Sequence, residues 1–552
     1  MKQSHFDALV VGAGFGGIYQ LHKFVKLGLN TKLIEMAADV GGTWYHNRYP
    51  GAMSDSYSMV YRYSWDKDDL VTYPWKNCYV HQPEVLKYLQ HVVERHDLRR
   101  YMQFNTELTR ADYDEVHNRW VVQTSTGDVY TVRYLVTALG ILSRINYPDI
   151  PGLKSFKGEM YHTGKWPKAH EFRDKRVGVI GNGSTGVQVI TALGPEVKSL
   201  TSFQRRPQYS VPSGNRALTK EERDDINARY DEIWEFVRNS TMGVGLPEGS
   251  RPTMSVSAEE REQVFEDAWQ GGNGFRFMFS TFNDIITSEE ANEEACKFLR
   301  RKIKDTVKDP EKARKLTPTE IFARRPICDS GYFEQFNRSN VDLALLSENP
   351  IQTITEKGVL MQDGTHYDLD VLIFATGFDA VDGNWTRTTI KGRGGKSLKE
   401  HWDKSGSPTS LLGSFVPDFP NMFMLFGPSS PFGNGPPVLE AQVDFIIDVV
   451  QQAEKTSKKQ TDSSTTNGVA DGALTSRGPV VEALPSSVDA WVQKCESVAN
   501  GTLFPRLDNW ILGKNVPGKT PSVLVWLGGI GQFRKYLQEI AEGGYQTFEP
   551  FS

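Results

Sequence analysis

Two glycine-rich segments, each between an apolar β-run and a helical pattern, constrain the fold of this 552-residue chain more than any other feature. Gly12 to Gly17 follows the run Asp7 to Val11, and Gly181 to Gly186 follows the run Arg176 to Ile180. The G-x-G-x-x-G spacing in this context is typical of dinucleotide binding, because the glycines permit a tight turn and let the backbone approach a pyrophosphate. The sequence therefore predicts an α/β fold with two Rossmann-like dinucleotide-binding domains.

The first unit ends in an acidic residue. Its turn contains Gly12, Gly14 and Gly17, and the β-run after its helix leads directly to Glu35. A carboxylate at this position accepts hydrogen bonds from ribose hydroxyls and repels a 2′-phosphate. The first unit is therefore expected to bind FAD or NAD rather than NADP, although a purely structural glycine turn remains an alternative.

The second unit ends in basic residues instead. Its turn contains Gly181, Gly183 and Gly186, and its next β-run leads to Arg205 and Arg206. A guanidinium group binds a phosphate through two hydrogen bonds, which suits the 2′-phosphate of NADP. The alternative is a pair of solvated surface cations. The economical interpretation of both units is FAD in the first and NADPH in the second, with hydride passing between them.

Composition excludes several other classes of protein. Hydrophobic residues make up 39% and charged residues 24%, as in an ordinary globular protein, and the net charge of -5 gives no reason to expect nucleic acid. No stretch approaches the roughly 18 apolar residues of a membrane span, and no signal peptide is visible, so a cytoplasmic protein is expected. The four scattered cysteines form no C-x-x-C pair and no metal-binding spacing, which disfavours a disulfide reductase and predicts no metal site.

Periodicity along the chain predicts how the two units are arranged. Helical periods dominate from Pro212 to Arg325, and strand patterns return from Val341 to Phe374. Lys455 to Ser487 is rich in small polar residues and is expected to be a surface loop, partly mobile. The predicted division is an FAD-binding domain from residues 1–150 and 385–552, an NADP-binding domain from 151–212 and 326–384, and an all-helical insertion at 213–325.

The predicted elements that frame the motifs follow from the same patterns. The β-runs are Asp7 to Val11, Thr31 to Ile34, Arg176 to Ile180, Ser199 to Phe203 and Val371 to Phe374. The helical patterns are Phe15 to Leu27, Ser184 to Leu193, Lys220 to Val237, Ala258 to Ala268, Ser288 to Val307 and Gln442 to Ala453.

A fingerprint just before the second unit identifies a family resemblance. Phe156, Gly158, His162, Trp166 and Pro167 fit the pattern F-x-G-x-x-x-H-x-x-x-W-P, so the chain resembles the type I Baeyer–Villiger monooxygenases. Further matching stretches are Gly41 to Gly51, Ala375 to Ala380 and Trp510 to Lys519, so that the resemblance covers nearly the whole chain. The resemblance implies that the fingerprint is a hinge rather than the reacting centre. A packed pair of His162 and Trp166 at an interdomain seam is the corresponding structural interpretation.

The resemblance also implies an activity. Enzymes of this family use FAD and NADPH to convert ketones, here cyclic ketones in particular, to esters or lactones with O2 through a flavin C4a-peroxide. The expected partners are thus a small ketone and O2, and the protein is expected to act as a monomer. The peroxide attacks a carbonyl carbon as an anion, whereas its protonated form oxidises sulfur and nitrogen. A fixed cation is therefore required to stabilise the negative oxygen.

The resemblance implies that two residues provide this fixed cation and hold it in place. Arg325 matches the family's catalytic arginine, and arginine remains protonated in proteins. Asp55 matches the acid that holds this arginine in place. The chain departs from the family at Arg324, where lysine is usual, and we expect this change to affect NADP affinity more than reaction type. From sequence alone, Arg325 could be a surface charge and Asp55 a turn or helix cap.

The resemblance assigns the remaining site residues. The expected cofactor contacts beyond Glu35, Arg205 and the motif glycines are Phe15, Thr43, Trp44, Asp55, Tyr61, Leu108, Ser184, Thr185, Gln188, Arg206, Arg324 and Trp510. Trp510 matches a loop tryptophan that folds over NADP, with a core tryptophan as the alternative. The expected substrate pocket consists of Ile141, Leu142, Val244, Phe279, Phe432, Gly433, Gly435 and Val525. Because Val244, Gly433, Gly435 and Val525 are small for these positions, we expect rings of more than six carbons to be accepted.

Two other functions share the nucleotide motifs. A flavin monooxygenase that oxidises nitrogen or sulfur needs both nucleotides but not the Arg325–Asp55 pair. A non-catalytic nucleotide-binding redox sensor needs neither the pair nor a substrate pocket. Products formed from a ketone and from a thioether would distinguish these possibilities.

Overall fold

The computed structural model describes residues 3–167, 170–464, 478–516 and 518–551. It confirms the predicted α/β fold and both predicted βαβ units. The α-helices of the described residues are Phe15–Lys26, Thr43–His46, Lys67–Thr72, Gln82–Arg95, Ser184–Leu193, Lys220–Ala228, Tyr230–Asn239, Ala258–Gly271, Glu289–Thr306, Pro310–Leu316, Tyr332–Gln335, Gly383–Thr386, Leu398–Ser405, Gly435–Ser464, Pro485–Asn500 and Ile530–Glu542.

The first sheet contains the first glycine-rich turn at the end of its strand Gln3–Val11. The alternate residues Ala8 and Val10 enter one hydrophobic core, and Leu9 and Val11 enter another on the opposite face. Burial on both faces explains why this strand is a continuous apolar run. The strands follow the order Thr389–Lys391, Leu108–Asp114, Arg119–Thr124, Val129–Thr137, Gln3–Val11, Thr31–Ile34 and Met102–Gln103, and Met422–Met424 also pairs with Val129–Thr137.

The second sheet is parallel throughout and contains the second glycine-rich turn. Its strands follow the order Val341–Leu345, Ser199–Gln204, Arg176–Ile180, Val371–Phe374 and Glu159–His162. The fingerprint therefore supplies the edge strand, in which His162 is in register with Phe374. Smaller pairings join Ser210–Pro212 with Ile327–Asp329, Ser430–Pro431 with Val525–Trp526, and Ile351–Thr355 with Gly358–Met361 and His366–Asp368.

The segment between the two halves of the second sheet is helical, apart from its ends. The strands Ser210–Pro212 and Ile327–Asp329 pair where this segment begins and ends. The prediction of one helix from Lys220 to Val237 was wrong, because the helical conformation is interrupted at Arg229. Here φ is -114° and ψ is 15°, and the second helix buries Tyr230. The π-helix Arg276–Ser280 also lies in this segment.

The predicted surface loop from Lys455 to Ser487 was wrong at both ends. The helix Gly435–Ser464 begins among buried apolar residues and continues into the polar sequence, because extending a formed helix adds one hydrogen bond for each residue that is fixed. The next helix begins at Pro485, whose fixed φ suits the first turn. Residues 465–477 of the predicted loop lie outside the described residues.

Three findings concern membrane spans, metal ligands and cysteines among the described residues. None of their helices is both long and apolar enough to cross a membrane. No group of three or more metal-ligating side chains occurs among them. All four cysteines are buried free thiols.

The helix Gly435–Ser464 contains a buried acid next to the first glycine-rich turn. Glu440 is 6% exposed and accepts hydrogen bonds from the backbone N–H of Ser64, at 2.6 Å, and from its hydroxyl. Tyr63, which precedes Ser64, donates its hydroxyl group to the carbonyl oxygen of Phe15 at 2.6 Å. Burial raises the pKa of Glu440 to about 7. The acid thus anchors a segment that contacts the start of the first helix.

Replacing Glu440 by Gln is expected to reduce the loss of stability with rising pH. The pKa of Glu440 is higher in the folded chain than in the unfolded chain, so ionisation destabilises the fold by about 3 kcal/mol as pH rises from about 4.5 to about 7. Glutamine remains uncharged throughout. Denaturation midpoints measured from pH 5 to pH 8 should therefore fall less for Glu440→Gln than for the wild type. Parallel curves would contradict the assignment.

Candidate active site

The first glycine-rich turn has room for a phosphate but not for additional side chains. A Cβ atom at Gly12 would lie 2.4 Å from the carbonyl oxygen of Ala138, and one at Gly17 would lie 1.8 Å from that of Gly12. Gly14 precedes the helix Phe15–Lys26 and provides no side-chain cap, so the first N–H groups of the helix are available to an anion. This arrangement fits the pyrophosphate of a dinucleotide.

Glu35 closes the same turn from the second strand. Its carboxylate accepts hydrogen bonds from the backbone N–H groups of Ala13, at 2.7 Å, and Ala37, at 2.8 Å. Burial raises its pKa, while these backbone donors lower it. The carboxylate lies at the end of the strand, where the ribose of a dinucleotide binds in this fold. A carboxylate here can accept hydrogen bonds from ribose hydroxyls and would repel a 2′-phosphate, which fits FAD.

The second glycine-rich turn has the same construction. A Cβ atom at Gly181 would lie 2.4 Å from the carbonyl oxygen of Ala375, and one at Gly186 would lie 2.1 Å from that of Gly181. At Gly183, in contrast, no other part of the described chain would lie within 4 Å. Gly183 precedes the helix Ser184–Leu193 without a side-chain cap. The open side of Gly183 is therefore the side from which a pyrophosphate can approach.

The arginines near this turn differ in their partners. Arg206 forms ion pairs with Glu320, at 2.8 Å, and Asp508, at 3.0 Å. Arg324 pairs with Glu320 at 2.6 Å and donates to the carbonyl oxygen of Asp508. Arg205 is exposed and forms no ion pair with any described residue. Of the three predicted contacts to NADP, Arg205 is thus the one whose charge is available to a 2′-phosphate.

Arg325 and Asp55 meet across 270 residues of sequence. Arg325 Nη1 donates to Asp55 Oδ2, and the guanidinium carbon lies 5.1 Å from the centre of the Phe275 ring. Burial opposes the charge of Arg325, but the Asp55 carboxylate raises the pKa of the guanidinium above its ordinary value. The pair can therefore hold a permanent positive charge at one fixed position.

A small, mostly apolar cavity adjoins this charge through Phe275. Its lining consists of Met242, Gly243, Val244, Leu246, Phe275 and Phe279 together with the polar residues Ser240, Glu248 and Ser280. The sequence prediction missed Phe275 and named Phe279, which stacks on it at a ring-centre distance of 6.3 Å. The run of Phe residues was visible in the sequence. The π-helix Arg276–Ser280 changes the helical period, so spacing could not show which ring faces the cavity.

The other predicted pocket residues divide into two groups. Val244, Phe279, Phe432 and Val525 belong to one hydrophobic cluster. Gly433 adjoins this cluster, since a Cβ atom there would lie 2.9 Å from the carbonyl oxygen of Met242. A Cβ atom at Gly435 would lie 3.8 Å from its nearest neighbouring atom. Ile141 is half-buried, Leu142 is 38% exposed, and neither belongs to the cluster.

The segment around Trp510 packs against the hydrophobic cluster of the predicted pocket residues. The Trp510 ring centre is 5.9 Å from that of Phe432, and Asn509 caps the short helix Trp510–Leu512 by accepting from the N–H of Leu512. Farther along, Lys519 forms an ion pair with Asp379 at 3.2 Å and another with Asp382.

Several predicted cofactor contacts lie between the two glycine-rich turns. Thr43 and Trp44 begin a short helix, and the indole of Trp44 donates to the hydroxyl of Tyr61 at 3.0 Å. Gln188, on the helix after the second turn, accepts from the hydroxyl of Tyr49 at 2.9 Å. The remaining contacts lie at the start of the two helices, as Phe15, Ser184 and Thr185 do, or, in the case of Leu108, buried in the first sheet.

Of the fingerprint residues, His162 packs between the two chain segments that connect the sheets. His162 is 1% exposed, and burial lowers its pKa to about 4. Its Nε2 lies 3.4 Å from the hydroxyl oxygen of Thr376. Two linkers connect the sheets here, and they are paired by a hydrogen bond from the N–H of Asn146 in one to the carbonyl oxygen of Gly377 in the other. His162 is therefore a neutral side chain packed against both linkers.

Trp166 lies elsewhere, and the prediction that it forms a packed pair with His162 was wrong. The Trp166 ring contacts Tyr161, His170 and Phe172, whereas the His162 ring contacts Tyr147 and Phe378. Successive residues of a strand point to opposite faces, so Tyr161 shares a face with Trp166 and His162 does not. Phe156 is buried, Gly158 has no space for a Cβ atom beside Asp370, and Pro167 follows Trp166.

Comparisons with known proteins cover the whole chain. The family model "Flavin-binding monooxygenase-like" matches residues 7–206. A phenazine N-monooxygenase of Lysobacter antibioticus is 46% identical over 99% of this chain and 97% of its own length. Cyclohexanone 1,2-monooxygenase of an Acinetobacter species is 48% identical over the same shares of the two chains. The crystal structure of cyclohexanone monooxygenase from Rhodococcus sp. Phi1 bound to NADP+ is 51% identical, with a TM-score of 0.94 over 99% of both chains.

Methyl groups at two glycines of the second turn are expected to have separable effects. Gly183→Ala should fold with wild-type stability, since the methyl group meets no described atom, but should weaken NADP+ binding at least about tenfold by blocking the pyrophosphate. Gly186→Ala should lower the melting temperature, because its methyl group would clash with Gly181. Calorimetry and titration with NADP+ measure both effects. Normal NADP+ affinity in Gly183→Ala would contradict this placement of the phosphate.

Proposed function

This chain belongs to the flavin-binding monooxygenases of the Baeyer–Villiger type, and we propose that it inserts one atom of O2 beside the carbonyl group of a cyclic ketone. The overall reaction is ketone + O2 + NADPH + H+ to lactone or ester + water + NADP+. The observation that carries this proposal is the Arg325–Asp55 pair, whose guanidinium lies over Phe275 in the wall of an apolar cavity.

Each cofactor has a site that fits it. The turn from Gly12 to Gly17 and the carboxylate of Glu35 would hold FAD, and the turn from Gly181 to Gly186 and the free charge of Arg205 would hold NADP(H). When bound, FAD supplies oxygen that has been activated with the electrons of NADPH. The Trp510 segment packs against the pocket cluster and restricts the access of water to it.

Arg325 stabilises charge during oxygen transfer. When an oxygen nucleophile attacks a ketone, negative charge develops on the former carbonyl oxygen. A guanidinium fixed before the reaction stabilises that charge without reorganising solvent. Asp55 keeps Arg325 protonated and fixes one edge of the guanidinium, while Phe275 supports its face. Asp55 is thus the positioning partner of the cation.

The pocket supports a preference for larger rings. Val244 and Val525 are short side chains in the apolar cluster, and a Cβ atom at Gly435 would only reach van der Waals contact with Phe426 at 3.8 Å. Gly433 contributes less room than its size suggests, since Met242 and Ile530 already occupy its surroundings. We propose that rings of more than six carbons fit beside Arg325.

The architecture of the sheets supports the proposed division into domains. Strands from residues 3–137 and 389–424 join in the first sheet, which supports an FAD-binding domain from residues 1–150 and 385–552. Strands from residues 159–374 form the second sheet and support an NADP-binding domain at 151–212 and 326–384. The helices between them support the insertion at 213–325. We further propose a cytoplasmic monomer that needs neither nucleic acid nor a membrane.

Nitrogen oxidation is the second candidate activity. It is favoured by the relative at 46% identity that is a phenazine N-monooxygenase. The Arg325–Asp55 pair favours ketones, because nitrogen oxidation does not require a stabilised carbonyl adduct. Enzymes at this level of identity over the whole chain disfavour the third possibility, a non-catalytic redox sensor.

Removal of the Arg325 charge is expected to abolish most product formation. Arg325→Ala should lower the rate of lactone formation by on the order of 10²- to 10³-fold, while NADP+ still binds. Arg261→Ala is the matched control, because Arg261 forms a partly buried ion pair with Glu294 at 3.0 Å rather than with Asp55. Product analysis by gas chromatography and titration with NADP+ provide the two readouts. Lactone formation at the wild-type rate in Arg325→Ala would refute the mechanism.

A ring-size series tests the substrate class. The wild type is expected to convert seven- and eight-membered cycloalkanones as well as cyclohexanone. Val244→Phe should raise the KM for the larger rings about tenfold, because a phenyl ring would fill the cavity beside Phe275. Activity of the wild type on rings of cyclohexanone size alone would refute the preference. Oxidation of a tertiary amine but of no ketone would instead support the second candidate.

A further inference from the structure

A buried asparagine in the helical insertion contacts Asp55 of the Arg325–Asp55 pair. Asn273 is 0% exposed, and its side-chain Nδ2 donates to the backbone carbonyl oxygen of Asp55 at 3.0 Å and to the hydroxyl oxygen of Tyr79 at 2.8 Å. Its Oδ1 accepts from the backbone N–H of Phe275 at 2.8 Å. One amide thus connects Asp55 to the residue that supports the guanidinium face of Arg325.

The backbone of Asn273 has an uncommon conformation. Asn273 has a φ of 81°, a left-handed conformation that asparagine tolerates better than most residues. Its own N–H donates to the carbonyl oxygen of Pro212 at 2.7 Å, where the chain enters the insertion. The conformation is therefore maintained by bonds on both sides of the residue.

The next two residues contact the segment that carries Arg325. A Cβ atom at Gly274 would lie 2.8 Å from the side chain of Pro326, and its N–H donates to Cys328 Sγ at 3.3 Å. Phe275 then places its ring 5.1 Å from the guanidinium carbon of Arg325. The tripeptide therefore lies against both members of the pair, and Asn273 is the residue whose side chain joins them.

We propose that Asn273 is a positioning residue for the oxygen-transfer step: it fixes Asp55 and Phe275 relative to each other and thereby orients the guanidinium of Arg325 toward the substrate cavity. The inference rests on the proposed Baeyer–Villiger function. Its effect reaches the reaction through Arg325, since Asn273 is 0% exposed and its side-chain hydrogen bonds go to Asp55, Tyr79 and Phe275. Nothing in the sequence pattern distinguished this asparagine.

Two substitutions separate the amide from the backbone conformation. Asn273→Gly keeps the left-handed conformation but removes the side chain, and Asn273→Asp keeps the acceptor for Phe275 but removes the Nδ2 donors. Asn421 offers a matched control, since it is 0% exposed and has a φ of 58°. Its Nδ2 donates to the carbonyl oxygen of Pro479 at 2.9 Å, and its Oδ1 accepts from the backbone N–H of Val481 at 2.8 Å.

The decisive measurement is the amount of lactone formed for each NADPH oxidised by the FAD-loaded enzyme, with cyclohexanone as the probe. Because a misplaced catalytic group costs on the order of 10²-fold, we expect both Asn273 variants to form 10- to 100-fold less lactone per NADPH than the wild type. Asn421→Asp is expected to lose stability without changing this ratio. A purely structural role of Asn273 would lower the yield of folded enzyme and leave the ratio unchanged.

A second readout does not depend on turnover. Removal of the Asn273 side chain should loosen the contact of Gly274 with Cys328, so a thiol reagent should label Cys328 faster in Asn273→Gly, with buried Cys495 as the internal reference. Unchanged labelling together with an unchanged ratio in both variants would overturn the inference. Absence of lactone from the wild type would instead refute the proposed function, so the two failures are distinguishable.

Discussion

The ion pair between Arg325 and Asp55 is the interaction on which the arrangement of the site depends. A partly buried guanidinium is costly unless a carboxylate compensates it, and removal of either partner leaves an uncompensated charge. Asp55 comes from the segment after the first glycine-rich turn, and Arg325 ends the helical insertion. The pair therefore joins the segment after the first glycine-rich turn to the end of the helical insertion.

The two nucleotide sites lie at turns of different sheets. Each has a turn where a Cβ atom is excluded by a backbone carbonyl, followed by a helix whose N-terminus has no side-chain cap. Tyr49 and Gln188 form a hydrogen bond between the two units. The bond from the N–H of Asn146 to the carbonyl oxygen of Gly377 joins the two chain segments that connect the sheets. The two units are thus in direct contact as well as linked through the chain.

The sequence predicted what depends on local patterns and missed what depends on tertiary contacts. The helix Ser184–Leu193 has the predicted bounds, because a glycine-rich turn and a short apolar helix are both local signals. The role of Phe275 depends on a π-helix that spacing cannot show. Arg206 matched the pattern for NADP, but its charge is directed to Glu320 and Asp508, which are distant in sequence. Charge partners of this kind become visible only in the folded chain.

The fingerprint illustrates how a diagnostic segment can lie away from the chemistry. Burial lowers the pKa of His162 to about 4, so this residue is neutral at pH 7 and cannot supply the positive charge that oxygen transfer to a ketone requires. Arg325 is held in its charged form by Asp55. The side chain of His162 instead packs where both linkers cross between the sheets. Its neutrality suits that position, because a buried charge with no ionic partner between the two linkers would be costly.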